Sequence, residues 1–155
     1  MWKIFFDGPL SKEGDGAGVW IISPNMEFKV CSYKLNFKCT NNVAEYEALL
    51  LGLNALKVLG AKRIYVFWDS KLVINEVNDN YQTKHPRMRA YINEVWDMFS
   101  NFFIEHRVRV IPILENKVAY LLATTAGNFK VPVYSKKKYK ITGVHRPSIL
   151  DNSKY

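Results

Sequence analysis

The order in which the apolar period changes along the chain restricts the fold more than any other feature. Three short runs with strand character come first: Trp2 to Asp7, about Ala17 to Ser23, and Glu27 to Leu35. Between the first two, Gly8 to Gly16 carries Pro9, Gly14 and Gly16, the punctuation of a hairpin loop, and Pro24-Asn25 supplies a tight turn before the third. The period then switches. Thr40 is placed to cap a helix in which Ala44, Ala48, Leu51, Ala55 and Val58 fall on one face, and Gly60 is its C-cap candidate. Arg63 to Trp68 is a β-branched and aromatic run of buried-strand type, and Ser70 to Asn78 returns to helical spacing. Pro86 opens a further helix with Tyr91, Val95, Met98 and Phe102 on one side. Ile104 to Ile111 alternates as a last strand, and Glu115 to Ala126 reads as a terminal helix. A meander followed by strand-helix alternation predicts an α/β fold. Antiparallel strands join parallel ones through right-handed crossovers, with helices on both faces.

At 155 residues and 48% hydrophobic content, the chain has enough apolar material for one ordinary domain. Its net charge of +8 is unevenly spread: residues 128–155 hold seven Lys/Arg against Asp151, a net +6, and the 15 basic and 13 acidic residues before them net only +2. Beyond Gly127 periodicity fades and lysine accumulates. The expected division is therefore a domain over 1–127 and a mobile or loosely packed basic extension or linker over 128–155. The apolar run Trp2 to Phe6 is cut by Asp7, far short of a signal-peptide core or a membrane span. This leads us to expect a soluble, intracellular protein, cytoplasmic or nuclear and not secreted, with no membrane partner. Cys31 and Cys39 lack metal-site spacing and are expected to be free thiols.

Three acids sit where the fold can aim them at one place. Asp7 ends the first strand, Glu45 lies in the first turns of the long helix, and Asp69 follows the fourth strand. Ligands of open α/β sheets gather at the carboxyl ends of strands near a switch in strand order. Clustered carboxylates there hold hard divalent cations, and a pair of magnesium ions about 4 Å apart activates water and stabilises the leaving oxygen in phosphodiester cleavage. Spacing alone leaves the alternative open that these are solvated acids at element ends, as Glu47 and Glu76 are expected to be.

The acids fall inside longer strings: FFDG from Phe5, GAGVWIISP from Gly16, TNNVAEYEALLLGL from Thr40, DSKLVINEVN from Asp69 and ENKVAYLLA from Glu115. Together these span nearly all of residues 2–126, and they resemble the type 1 ribonuclease H domain, in particular the ribonuclease H segment of plant gypsy-like LTR retrotransposon polyproteins. The resemblance implies a five-stranded mixed sheet, three antiparallel strands then two parallel, and an endonuclease that cuts the RNA strand of RNA:DNA hybrids with two magnesium or manganese ions. Asp7, Glu45 and Asp69 match the first three catalytic, metal-binding acids. The fourth belongs in the string N-x-x-A-D-x-L-A, which here runs from Asn116 to Ala123 with Tyr120 at the aspartate position. A neutral phenol is a poor magnesium ligand at pH 7, and its ring needs more room than a carboxylate. One metal position is thus expected to be weakly held or vacant, and hydrolysis impaired, because that ion generates the nucleophile.

Other departures fall nearby. Trp68 stands where similar sequences carry a small residue, Glu76 where they carry glutamine, and Val110 and Ile113 where they carry the histidine and arginine of a HIPR-like string. Binding residues are better retained. Thr40, Asn41 and Asn42 match positions that touch the hybrid in the family, and Lys71, Asn75, Lys84, Arg87 and Arg89 complete the expected nucleic-acid contacts. Neutral amides and hydroxyls suit an A-like minor groove, although helix capping alone also accounts for Thr40 and Asn41. His85 extends the basic run around Lys84; its ordinary reading is a solvated helix start. Three functions remain open: a hybrid- or duplex-binding domain with degenerate catalysis, an active ribonuclease H whose metal site is rescued by Glu115 or water, and a non-catalytic scaffold beside other polyprotein domains. A monomer is expected.

Overall fold

The computed structural model describes residues 1–8, 15–38, 40–69, 86–127 and 141–149. The helix expected at Ser70 to Asn78, with Lys71, Asn75 and Glu76, lies outside them, as do Cys39, Lys84 and His85. The elements are β1 (Trp2–Asp7), β2 (Asp15–Ile22), β3 (Phe28–Leu35), α1 (Asn41–Val58), β4 (Arg63–Trp68), α2 (Pro86–Phe102), β5 (Glu105–Val110), a 3-10 turn (Ile113–Asn116) running into α3 (Lys117–Gly127), and β6 (Ile141–Val144).

Sheet order is β5-β4-β1-β2-β3-β6. β1 pairs antiparallel with β2, with Asp7 opposite Gly18, and β2 pairs antiparallel with β3. On its other side β1 runs parallel to β4, and β4 parallel to β5. The expected meander joined to two parallel strands is therefore present, with a sixth strand added at the far edge.

Ile4 and Phe6 face α1 and are fully buried. Gly52 permits that contact, because a Cβ there would lie 2.3 Å from the Ile4 Cδ1. The single stripe anticipated for α1 is a correction. Val58 is 84% exposed, and the buried set is Val43, Ala44, Tyr46, Ala48, Leu49, Leu50, Leu53 and Leu56, most of the helix circumference. A helix covered from several sides loses its amphipathic stripe, and α1 is enclosed by the sheet, by Tyr91 of α2 and by the C-terminal segment. Its end follows the sequence: Gly60 takes φ +82°, with Gly60 N–H donating to the Lys57 carbonyl and Ala61 N–H to the Leu56 carbonyl. On the opposite face α3 lies across β2 and β3, where the Ser32 hydroxyl donates to the Leu122 carbonyl at 3.1 Å.

Residues 141–149 differ from the loose packing expected after Gly127. β6 pairs parallel with Ser32–Leu35 of β3, and Ser148 donates from its N–H (2.7 Å) and its hydroxyl (2.9 Å) to the Glu47 carboxylate. Glu47, expected to be a solvated surface group, is 0% exposed and also accepts the Tyr91 hydroxyl at 2.5 Å. The reason is local: a short β-branched run, ITGV, completes a sheet edge, and a buried acceptor on α1 fixes the turn that follows it.

Candidate metal centre

Two adjacent parallel strands end side by side, so Asp7 at the end of β1 and Asp69 just after β4 emerge together. The third acid arrives because α1 passes very close to the chain after β1. A Cβ at Gly8 would stand 2.3 Å from the Ala44 carbonyl oxygen, so only glycine allows this approach. One carboxylate oxygen from each of Asp7, Glu45 and Asp69 lies within 4.8 Å of the others. The three acids selected from sequence are thus brought into one group.

Neutral donors orient them. The Gly8 N–H donates to Asp7 Oδ1 at 2.9 Å and to Glu45 Oε1 at 3.3 Å. The Trp68 indole donates to Glu45 Oε2 at 2.8 Å. Asn116 Nδ2 donates to the Phe6 carbonyl at 2.9 Å and to Asp69 Oδ2 at 3.1 Å, tying the start of α3 to both strand ends. Its Oδ1 is buried without a hydrogen-bond partner among the described residues.

The cluster is electrostatically strained in the absence of a cation. Burial, then the hydrogen bond and charge of Glu45 and the charge of Asp69, push the Asp7 carboxyl up to about 9. Burial likewise raises Glu45, opposed by its bonds from Asp7 and Trp68. The two carboxyls form one coupled pair in which burial and mutual repulsion favour keeping a proton. An all-oxygen donor set whose charge is uncompensated by any lysine or arginine among the described contacts fits a hard divalent cation, which would displace that proton.

Tyr120 sits one helical turn beyond Asn116 on α3, 45% exposed, with its backbone carbonyl accepting from Thr124 at 2.8 Å. Glu115 is exposed on the 3-10 turn, outside the carboxylate group. Among the expected nucleic-acid residues, Thr40 caps α1, its hydroxyl accepting from the Val43 N–H at 3.3 Å. Asn41 begins that helix and Asn42 is half-buried in its first turn. Arg89 is exposed on α2, whereas Arg87 is half-buried and donates to the Ile149 carbonyl at 3.4 Å. Sequence reasoning passed over two residues here. Asn116 was visible as the first letter of the N-x-x-A string, and the indole of Trp68 read only as a departure.

A mixed sheet in this order, with three acids at the β1, β4 and α1 ends, defines a ribonuclease H-type domain. The chain belongs to the reverse transcriptase-like family, whose model matches residues 5–126. The N-terminal ribonuclease H domain of Rv2228c from Mycobacterium tuberculosis superposes with a TM-score of 0.72 at 26% identity, covering 80% of this chain and 91% of that one. Ribonuclease H1 from Halobacterium salinarum (TM-score 0.74, 24% identity, 79% and 94% covered) shares the fold. So does LC11-RNase H1 in complex with an RNA/DNA hybrid (0.73, 24%, 81% and 95%). In sequence, the bifunctional protein Rv2228c is 37% identical over 89 residues, which is 57% of this chain and 24% of the mycobacterial protein. Bacillus subtilis YpeP is 26% identical over 129 residues, 77% of this chain and 56% of that protein. The chain thus spans about a quarter of the length of the mycobacterial relative it matches (24%). No helix among the described residues is long and apolar enough to cross a membrane.

Proposed function

We propose that this domain binds RNA:DNA hybrid over a divalent-metal site and cleaves it poorly, as a ribonuclease H with a degenerate fourth ligand. The observation that carries the reading is the gathering of Asp7, Glu45 and Asp69 within 4.8 Å, with a half-exposed tyrosine one turn past the Asn116 that supports them. Asp7, Glu45 and Asp69 would hold magnesium or manganese, which when bound supplies Lewis acidity and a metal-activated hydroxide for phosphodiester hydrolysis. Tyr120 offers no anionic oxygen to that site. Asn116 holds Asp69 in place, and Gly8 holds both Asp7 and Glu45. Thr40, Asn41 and Asn42 at the α1 N-terminus suit sugar and phosphate contacts, and on the motif resemblance Lys71, Asn75, Lys84, Arg87 and Arg89 add further nucleic-acid contacts. On the motif resemblance, we place the chain in an LTR retroelement of the plant gypsy-like type, beside other polyprotein domains, as a monomer whose 1–127 domain is extended by residues 141–149.

Cleavage of an end-labelled RNA:DNA hybrid in magnesium, then manganese, tests this directly. The wild type should cut at most about a hundredth as fast as its own Tyr120→Asp variant, which corresponds to about 3 kcal/mol of barrier. Equal, fast rates for the two proteins would show that another group completes the site. Absence of salt-sensitive binding to hybrid, duplex and single strands would move the scaffold reading to the front.

A further inference from the structure

We propose that Trp68 is a positioning residue of the metal centre, fixing the face that Glu45 presents to a divalent cation; the inference rests on the metal-site reading above. Trp68 is the last residue of β4 and is 0% exposed. Its ring is caught edge-on by Phe6 (centroids 4.5 Å, 68°) and by Tyr46 (5.8 Å, 89°), both also fully buried. A ring so enclosed has one orientation, and that orientation delivers its N–H to Glu45 Oε2 at 2.8 Å. The other oxygen, Oε1, meets the Gly8 N–H at 3.3 Å.

Two consequences follow from the chemistry of these donors. An indole N–H donates only; it cannot ligate a metal or take up a proton, so it acts on the site through Glu45. With Oε2 fixed by the indole and Oε1 by the Gly8 N–H, the plane of the Glu45 carboxylate is set, and each oxygen keeps a lone pair for a cation. The same strand end carries both the pin and a ligand, since Asp69 follows Trp68 directly. Bulk at position 68 is then part of how this chain builds its metal site, and not simply an intrusion beside the third acid. Supporting donors of this kind are worth about 10–100-fold in metal affinity elsewhere.

The test uses the full chain with its tryptophans labelled for NMR. Trp68→Phe keeps most of the ring volume and removes the donor, and its missing signal assigns the Trp68 indole. In the wild type that indole proton should exchange slowly with water, shift on Glu45→Gln, and move again as magnesium is added. Manganese should bind Trp68→Phe at least tenfold more weakly than wild type while the backbone amide spectrum stays dispersed. An indole signal indifferent to Glu45→Gln overturns the inference, and this arm decides even where Trp68→Phe does not fold, because cross-relaxation of the indole with the adjoining Phe6 and Tyr46 rings assigns it in the wild type. Equal manganese affinity in wild type and Trp68→Phe also overturns it and leaves the metal-site reading standing. A wild type that takes up no manganese removes both.

Discussion

Replacing Asp7 by asparagine should stabilise the metal-free domain. The unfolded carboxyl titrates near 3.8, whereas the buried, Glu45-paired carboxyl of the native state is pushed up to about 9. Between those values the folded protein holds a proton that the unfolded chain has released, so native stability falls as pH rises through that window. At pH 7 the gap from 3.8 is worth at most about 4 kcal/mol, since each pH unit corresponds to about 1.36 kcal/mol. Sharing of the proton with Glu45 and relaxation of the site reduce this, and we expect a gain of roughly 2 kcal/mol. Asparagine is well suited to the place. Its carbonyl can accept the Gly8 N–H that now bonds Asp7 Oδ1 at 2.9 Å, and its amide can donate to Glu45. For a chain of this size about 2 kcal/mol moves the melting temperature by roughly 4–8 °C. Thermal unfolding followed by circular dichroism in chelator, from pH 5 to 9, reads the effect. The wild-type curve should decline with pH and the Asp7→Asn curve should be flatter and higher at pH 7 and above. Saturating manganese should reverse the order, because only the wild type keeps three ligands. An Asp7→Asn protein less stable than wild type at pH 8 without metal would refute the electrostatic reasoning.

Glu47→Ala takes the acceptor from the Tyr91 hydroxyl and from both Ser148 donors beside a new cavity, so we expect a loss of about 2–4 kcal/mol. Amide exchange at Ile141–Val144 should speed up in that variant, and unchanged protection would show that Glu47 does not anchor the segment. Gly8→Ala drives a methyl into the Ala44 carbonyl oxygen, which as backbone cannot swing aside. It should separate α1 from β1 and weaken manganese binding more than tenfold, measured by calorimetry. Gly52→Ala meets only the ends of Ile4 and Val19 and should cost about 1–3 kcal/mol on denaturant unfolding with metal binding intact.

The fold was legible in sequence wherever one period dominated. β1, β4 and α2 follow their apolar runs, and Gly60 stops α1 in the left-handed conformation that its residue type favours. Asp7, Glu45 and Asp69 were legible because each ends or begins an element, so element order fixes their convergence. The burial of α1 was not legible as a stripe, since a helix enclosed on several sides mixes Tyr46, Leu49, Leu50 and Leu53 around its circumference. Glu47 and Ser148 are 101 residues apart, and no local pattern announces a buried carboxylate that finds its donors at that distance. β6 was missed for a related reason: four residues of strand among lysines carry too weak a periodic signal to compete with the composition around them. The role of the Trp68 indole depends on a rotamer enforced by Phe6 and Tyr46, which sequence does not specify.

Anomalous diffraction from a crystal of the full chain grown with manganese and an RNA:DNA hybrid examines the central claim directly. The account predicts one well-occupied ion ligated by Asp7, Glu45 and Asp69, with the position nearest Tyr120 weak and the RNA strand uncut. Two fully occupied ions beside a severed RNA strand would contradict it, and so would hybrid density with no ion among the three carboxylates.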